Sequence, residues 1–482
     1  MAIRPVTLTK RLVAVLEEIM SNTPFTPELL SPAGSLRNMR YAFAYGADAV
    51  YAGQPRYSLR VRNNEFSLEN LKIGIDEAHV LGKKFYVVSN IAPHNSKIKT
   101  YLKDIKPVVE MGPDALIMSD PGLIMLVREA FPDMPIHLSV QANAVNYATV
   151  KFWQQQGIER VILSRELSLE EIETIRQEVP EMELEIFVHG ALCMAYSGRC
   201  LLSGYMNKRD PNQGTCTNAC RWSYDVKSAE ENELGDVVQK VSPADIIPTL
   251  GEGAPTDEVF MLAEQQNPDE LMPAFEDEHG TYIMNSKDLR AVQHVERLTK
   301  MGVHSLKIEG RTKSHYYCAR TAQVYRKAID DAAAGKPFDA NLMRTLESLA
   351  HRGYTEGFLR RHVHQEYQNY EYGHSVSEMQ QFVGEVVGRC EETGHAIIDV
   401  KNKFCVGHQL ELMTPSGNIT FILEDMLDKQ GLNIDDAKGS GHLVRIPVPD
   451  DIGLKFALLM RNLDYGTDTR NPFHVNPETK SA

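Results

Sequence analysis

The sequence predicts a (β/α)8-type barrel followed by a small all-β barrel domain. Eight short apolar runs alternate with helical stretches between residues 28 and 309. Each run ends in a polar or small residue. Past residue 380 the helical periodicity stops and short alternating strands take over.

Residues 1–24 read as an N-terminal helix. Its apolar stretch from Thr7 to Met20 is interrupted by Lys10, Arg11, Glu17 and Glu18. No signal-peptide core is expected with such interruption, and no apolar stretch reaches the roughly 20 residues a membrane span needs. A cytoplasmic protein without membrane contact is expected. The 482 residues carry a net charge of −14. A polyanion would be repelled at long range, which argues against indiscriminate nucleic-acid binding but not against a local basic face.

The barrel is assigned to residues 25–337. Its strand runs are Glu28–Ala33, Ala47–Gly53, Lys84–Ile91, Ala115–Asp120, Ile136–Gln141, Arg160–Glu166, Glu183–His189 and Ser305–Glu309. A doubly wound sheet is the competing architecture, but no Gly-rich dinucleotide loop follows the first strand. The runs end at Ser31, Gly53, Asn90, Asp120, Gln141, Arg165, His189 and Glu309. Barrel enzymes build their sites at these C-terminal strand ends. His189, Asp120 and Glu309 are therefore candidates for proton transfer. The plainer alternative for Glu309 and Arg311 is an ion pair at the barrel end.

An excursion, residues 190–280, follows the seventh strand. Its second part, about Ser228 to His279, is acidic and punctuated by Pro and Gly, and reads as a solvated loop. Its first part holds Cys193, Cys200, Cys216 and Cys220, four of the seven cysteines within 28 residues. Four thiolates on Gly-containing chain suit an iron–sulfur cluster, 4Fe-4S in the first instance, although a two-iron form also takes four thiolates. Zinc and packed free thiols are the alternatives. Zinc sites favour paired short knuckles, and only the Cys216–Cys220 spacing resembles one. Arg199, Arg209 and Arg221 interleave with the cysteines and favour the thiolate form. The radical S-adenosylmethionine signature is absent, because Ser223 stands where its third cysteine would fall. Cys318, Cys390 and Cys405 are expected to be buried.

Residues 338–375 form a helical, then aromatic and basic linker. In it Arg352, Arg360 and Arg361 can contact RNA phosphates, and Tyr354 and Phe358 can stack on unpaired bases. Residues 376–465 form the β-barrel domain and 466–482 a polar tail.

Four motifs carry a resemblance: FVHGALCMAYSGRCLLS from Phe187, NQGTCTNACRW from Asn212, YIMNSKDL from Tyr282 and SLKIEGRTKSHYY from Ser305. ELLSPAG from Glu28 and HRGYTEGFL from His351 fit as well. Together they resemble the bacterial collagenase-like peptidase family, over about Phe25 to Leu463. The resemblance implies a barrel with a translation-factor-like β-barrel extension. It also implies oxygen-independent RNA hydroxylation that depends on prephenate and on the iron–sulfur assembly machinery. The implied product is 5-hydroxyuridine at the tRNA wobble position, a first step towards 5-carboxymethoxyuridine. The family's cysteine pattern falls on Cys193, Cys200, Cys216 and Cys220. Some relatives take a ligand after the NSKDL motif; Arg290 stands there, so the Cys216–Cys220 pair must supply the fourth. Prephenate has two carboxylates, for which Arg60, Arg62, Arg165, Arg199 and Arg311 are candidate partners.

Peptidase chemistry finds no H-E-x-x-H or G-x-S-x-G motif. A Cys193–His189 nucleophile would leave three neighbouring cysteines unexplained. A non-catalytic RNA-binding adaptor would leave all four so. Anaerobically purified protein is expected to absorb broadly near about 400 nm, as thiolate-ligated iron does. Alanine at Cys193, Cys200, Cys216 or Cys220 should abolish that absorption, and alanine at Cys318, Cys390 or Cys405 should not. A colourless zinc protein would refute the cluster.

Overall fold

The computed structural model describes residues 25–59, 65–192, 287–351, 353–360 and 379–463, with backbone strands at 229–231, 237–239, 260–264, 267–277 and 280–282. The N-terminal helix and the polar tail expected from the sequence lie outside the described residues.

Strands β1 (Glu28–Pro32), β2 (Ala49–Gly53), β3 (Lys84–Ser89), β4 (Ala115–Met118), β5 (Ile136–Leu138), β6 (Arg160–Ile162) and β7 (Glu183–Ala191) pair in sequence order, all parallel. The eighth barrel strand, Ser305–Ile308, pairs parallel with both β7 and β1 and closes the barrel. Each of the eight predicted runs coincides with one of these strands, and β7 extends two residues beyond its run, to Ala191. They read clearly because a parallel strand is covered on both faces and so is nearly all apolar.

Five of the six helices between them start on side-chain caps. α1 (Leu36–Ala44) is capped by Ser35 and α2 (Leu68–Val80) by Ser67. α3 (Asn95–Glu110), which follows β3, is the exception. α4 (Pro121–Ala130) has Asp120 at its cap and Pro121 in its first turn; α5 (Tyr147–Gln155) is capped by Asn146. Ser168 and Glu171 form a capping box on α6 (Leu169–Glu178). Each cap satisfies backbone N–H groups that have no partner within the helix.

The excursion contains antiparallel strands, where a solvated loop was expected: β8 (Ala229–Glu231) with β9 (Val237–Gln239), and β10 (Phe260–Glu264) with β11 (Asn267–Asp277) and β12 (Gly280–Tyr282). The pairings are local hairpins, which acidic composition alone does not forbid. The chain returns through β13 (Asp288–Arg290), antiparallel to the end of β7, with Asp288 opposite Ala191. Thus residues 192 and 287, which bracket the excursion, are brought side by side. α7 (Val295–Met301) then leads to the eighth barrel strand, β14, and α8 (His315–Ala333) follows. α9 (Asn341–Glu347) and β15 (Tyr354–Thr355), which pairs with β13, open the linker.

The C-terminal domain is antiparallel and all-β. It contains β16 (Gln380–Arg389), β17 (Ala396–Val400), β18 (Phe404–Cys405), β19 (Gln409–Thr414), β20 (Gly417–Ile422), β21 (Asp436–Ala437), β22 (Leu443–Ile446) and β23 (Leu458–Asn462). Six of these form one sheet in the order β20-β19-β23-β16-β17-β22. The domain docks on α1 and α8. Arg320 donates to both Glu411 oxygens at 3.0 and 2.9 Å, and the Tyr45 hydroxyl reaches the carbonyls of Met413 and Phe456. Met413, Leu458 and Met460 join the core of the barrel's helical layer.

The barrel interior has a charged floor. Arg160 donates to Glu28 at 2.5 Å and to Glu185 at 3.3 Å, and Lys307 donates to Glu185 at 2.7 Å. Tyr86 and Ser305 also donate to Glu28. Above the floor lies an apolar layer including Leu30, Tyr51, Val88, Ile117, Ile162 and Phe187. Burial would raise the Glu28 carboxyl, but Arg160 and Tyr86 outweigh it and hold the group below its usual range. Its contribution to stability is therefore present above about pH 4.5 and is lost as pH falls through the lowered value. Glu185→Ala, which strands Lys307 and removes one partner of Arg160, is expected to cost about 3–5 kcal/mol in urea unfolding. Glu183→Ala removes only a half-exposed partner of Arg160 and should cost about 1 kcal/mol or less.

Candidate active site at the barrel mouth

The rim above the apolar layer is polar. On one side Arg165 lies 3.6 Å over the Phe187 ring and pairs with Glu309 at 3.3 Å. Arg311, nearly buried, donates to the Leu59 carbonyl at 2.7 Å and lies 5.9 Å from the Tyr51 ring. Gly53 permits this approach, since a Cβ there would come within 2.5 Å of the Arg311 guanidinium. Arginines set over aromatic faces keep a fixed orientation and can bind a carboxylate through paired hydrogen bonds.

On the other side of the rim the described residues form a network of neutral side chains. The Asn90 amide donates to Ser139 at 3.1 Å and to Gln141 at 2.8 Å, while Ser119 donates to the Asn90 carbonyl. Gln54 donates to Ser89, which bonds the Tyr101 hydroxyl. Asn90 and Gln141 were legible as strand ends; their partnership was not, because it joins loops far apart in sequence.

The proton-transfer candidates are dispersed. Asp120 accepts from Leu123 N at 2.9 Å as the cap of α4. Glu309 sits at the mouth beside Arg165. His189 is buried, with its ring 5.8, 5.5 and 5.4 Å from those of Tyr317, Tyr325 and Tyr354, and its Nδ1 is 3.3 Å from the Tyr325 hydroxyl. A shift in pairing between Lys307 and Ile308 brings His189 opposite Ile308 and beside α8. The alternation that the sequence suggests does not reveal such a shift. At Gly190 the backbone turns through φ +101°, and a Cβ would meet the Glu309 carbonyl at 2.5 Å.

Arg60, Arg62, Arg199, Arg352, Arg361 and the four clustered cysteines lie outside the described residues. Among the described residues no group of three or more His, Cys, Asp or Glu could hold a metal. Leu192, one residue before Cys193, packs in the barrel's interior layer beside Leu289. Tyr354 is half-buried, stacked on His351 at 4.2 Å and beneath Arg290 at 4.8 Å. Phe358 is exposed, and Arg360 is exposed but paired with Glu356 at 2.6 Å. Cys318 and Cys390 are buried as expected; Cys405 is only half-buried and contacts Asp436 at 2.7 Å.

No helix among the described residues is long and apolar enough to cross a membrane. Peptidase family U32 matches residues 34–369, and that family's C-terminal domain matches residues 378–461. A relative named tRNA hydroxylation protein P, from Escherichia coli, is 75% identical over 452 residues, covering 93% of this chain and 99% of its own. The protein of that name from Haemophilus influenzae is 73% identical over 460 residues, covering 94% and 100%. An Escherichia coli 23S rRNA 5-hydroxycytidine synthase is 29% identical over 342 residues, covering 69% of this chain and 45% of its own.

Burial pushes the His189 imidazole down to about 3, against the pull of Asp288. It is neutral at physiological pH, whereas in the unfolded chain it gains a proton below about pH 6.5. Stability should therefore fall as pH drops through this range. His189→Gln is expected to make the urea midpoint fall less steeply between about pH 6.5 and 4. An unchanged slope would show that His189 is not held neutral.

Proposed function

The chain belongs to peptidase family U32, and we propose that it is a tRNA-modifying hydroxylase rather than a peptidase. It converts the wobble uridine to 5-hydroxyuridine without oxygen, with prephenate as co-substrate and an iron–sulfur cluster held by Cys193, Cys200, Cys216 and Cys220. The observation that carries this reading is the anchoring of the excursion. Leu192 and Leu289 pack in the interior layer, and β13 ties the returning chain to β7 at the mouth. The segment that begins at Cys193 thus leaves from the C-terminal face, where barrels carry their chemistry.

The donor set fits the group, since four thiols supply one ligand to each iron of a 4Fe-4S cluster. When bound, such a cluster would supply electron transfer or serve oxygen insertion from a donor, the two routes by which a uracil ring can be oxidised. Arg165 and Arg311 would take the prephenate carboxylates, with Glu309 giving up Arg165 to the substrate. A wobble base is already unpaired, so bringing it to a barrel mouth costs little unstacking. The names of the near full-length relatives support tRNA hydroxylation as the activity.

The test is nucleoside mass spectrometry of tRNA from a deletion strain grown without oxygen, which removes the contribution of any oxygen-dependent enzyme. 5-Hydroxyuridine and its derivatives should disappear, and should also disappear when prephenate synthesis or iron–sulfur assembly is blocked. Normal levels in the anaerobic deletion strain would rule out the assignment.

A further inference from the structure

A backbone N–H can only donate, and one such group sets the polarity of the amide network at the mouth. Leu59 N donates to Asn90 Oδ1 at 3.2 Å. The Asn90 Nδ2 must then face the other way, where it donates to Ser139 Oγ and to Gln141 Oε1. The Ser139 hydroxyl also donates to Gln141 Oε1. Two donors thus converge on the Gln141 oxygen, which leaves its Nε2 as an outward donor without a partner among the described residues. Turning Gln141 over would set amine against amine. Turning Asn90 over as well would set its amine against Leu59 N–H.

The relay is held at both ends. Arg311 grips the Leu59 carbonyl at 2.7 Å, and Asn143 donates to the Gln141 carbonyl at 2.8 Å. Gln141 is half-buried in the short turn after β5, beside Val140 of the interior layer. A donor fixed in this way recognises an acceptor. A neutral amide suits a carbonyl, whereas the arginines opposite suit a carboxylate.

We propose that Gln141 reads the target base, its Nε2 donating to O4 of uracil. Cytosine carries an amine at that position and would place donor against donor, leaving both unsatisfied. Asn90 is then a positioning residue that holds the Gln141 amide in one orientation. This inference rests on the functional reading above and adds the origin of base selectivity.

Two anticodon stem-loop RNAs that differ only in uridine or cytidine at the wobble position provide the probe. Binding of each to the purified full-length protein is measured, and tRNA nucleosides are quantified from the anaerobic deletion strain carrying each variant. The wild-type protein should prefer the uridine RNA by about tenfold or more, the scale of one buried hydrogen bond replaced by an unpaired donor. Q141E keeps the inward acceptor and replaces the outward donor with an acceptor, so the preference should vanish or invert. N90D still accepts from Leu59 N–H but turns an acceptor towards Gln141, which favours the flipped amide, so discrimination should fall and uridine binding should weaken with it. If Q141E does not accumulate as folded protein, N90D decides. Uridine preference within about twofold of wild type in the deciding variant overturns the proposal. Absence of 5-hydroxyuridine with the wild-type gene would instead sink the functional reading, and this inference with it.

Discussion

The barrel depends on a balanced set of charges closed off from water at its floor. Glu28 and Glu185 face Arg160 and Lys307, and these four groups sit on β1, β7, β6 and β14. Those strands flank the seam where the eighth barrel strand joins the seventh and the first. Removing four charges from water costs several kcal/mol each, and mutual attraction with saturated hydrogen bonds offsets that cost only in good geometry. Tyr86 and Ser305 complete the geometry around Glu28, and the ring of Tyr51 covers the Lys307 ammonium at 4.2 Å. Burial pulls the Lys307 ammonium below its ordinary value, against the attraction of Glu185. An apolar filling could be as stable. It would not penalise a slipped register so sharply, because here a slip would strand unpaired charge in the interior.

What stands above the floor follows from this closure. With the lumen filled, side chains at the rim cannot fold inwards and must either bond one another or face the mouth. Arg165 rests on Phe187 and Arg311 near Tyr51, both rings belonging to the apolar layer. Asn90 and Gln141 rise from β3 and from the turn after β5. The site is thus a rigid polar surface on a packed core, with arginines on one side and amides on the other.

The strands were legible because burial on both faces makes them apolar runs with sharp polar ends. The C-terminal sheet was legible from alternation, although β18 and β21, two residues each, are too short to leave a pattern. β13 was hidden inside a motif that gave a resemblance but no periodicity. The floor did leave a signal: Glu28, Arg160, Glu185 and Lys307 are charged residues inside otherwise apolar runs, and their spacing puts them on the inward face. In the site, the strand-end rule found Asn90, Gln141, Arg165 and Glu309. It could not tell a rim residue from a helix cap such as Asp120, or anticipate the shift that takes His189 towards α8. Pairings such as Arg165 with Glu309 join positions 144 residues apart, beyond the reach of local pattern.

The two domains hold one relative geometry for a related reason. Arg320 is almost wholly buried where α8 meets the β-sheet, and both Glu411 oxygens, with Gln380, surround it. Burial opposes the guanidinium charge, but Glu411 and its hydrogen bonds hold the group charged. Separating the domains would break the bidentate pair and also expose Met413, Leu458 and Met460, which belong to the barrel's own core. Hinging is therefore opposed by an apolar term and by a directional ionic term together. A substrate that reaches the mouth meets a barrel and a β domain already fixed to each other, so alignment costs no ordering of one against the other.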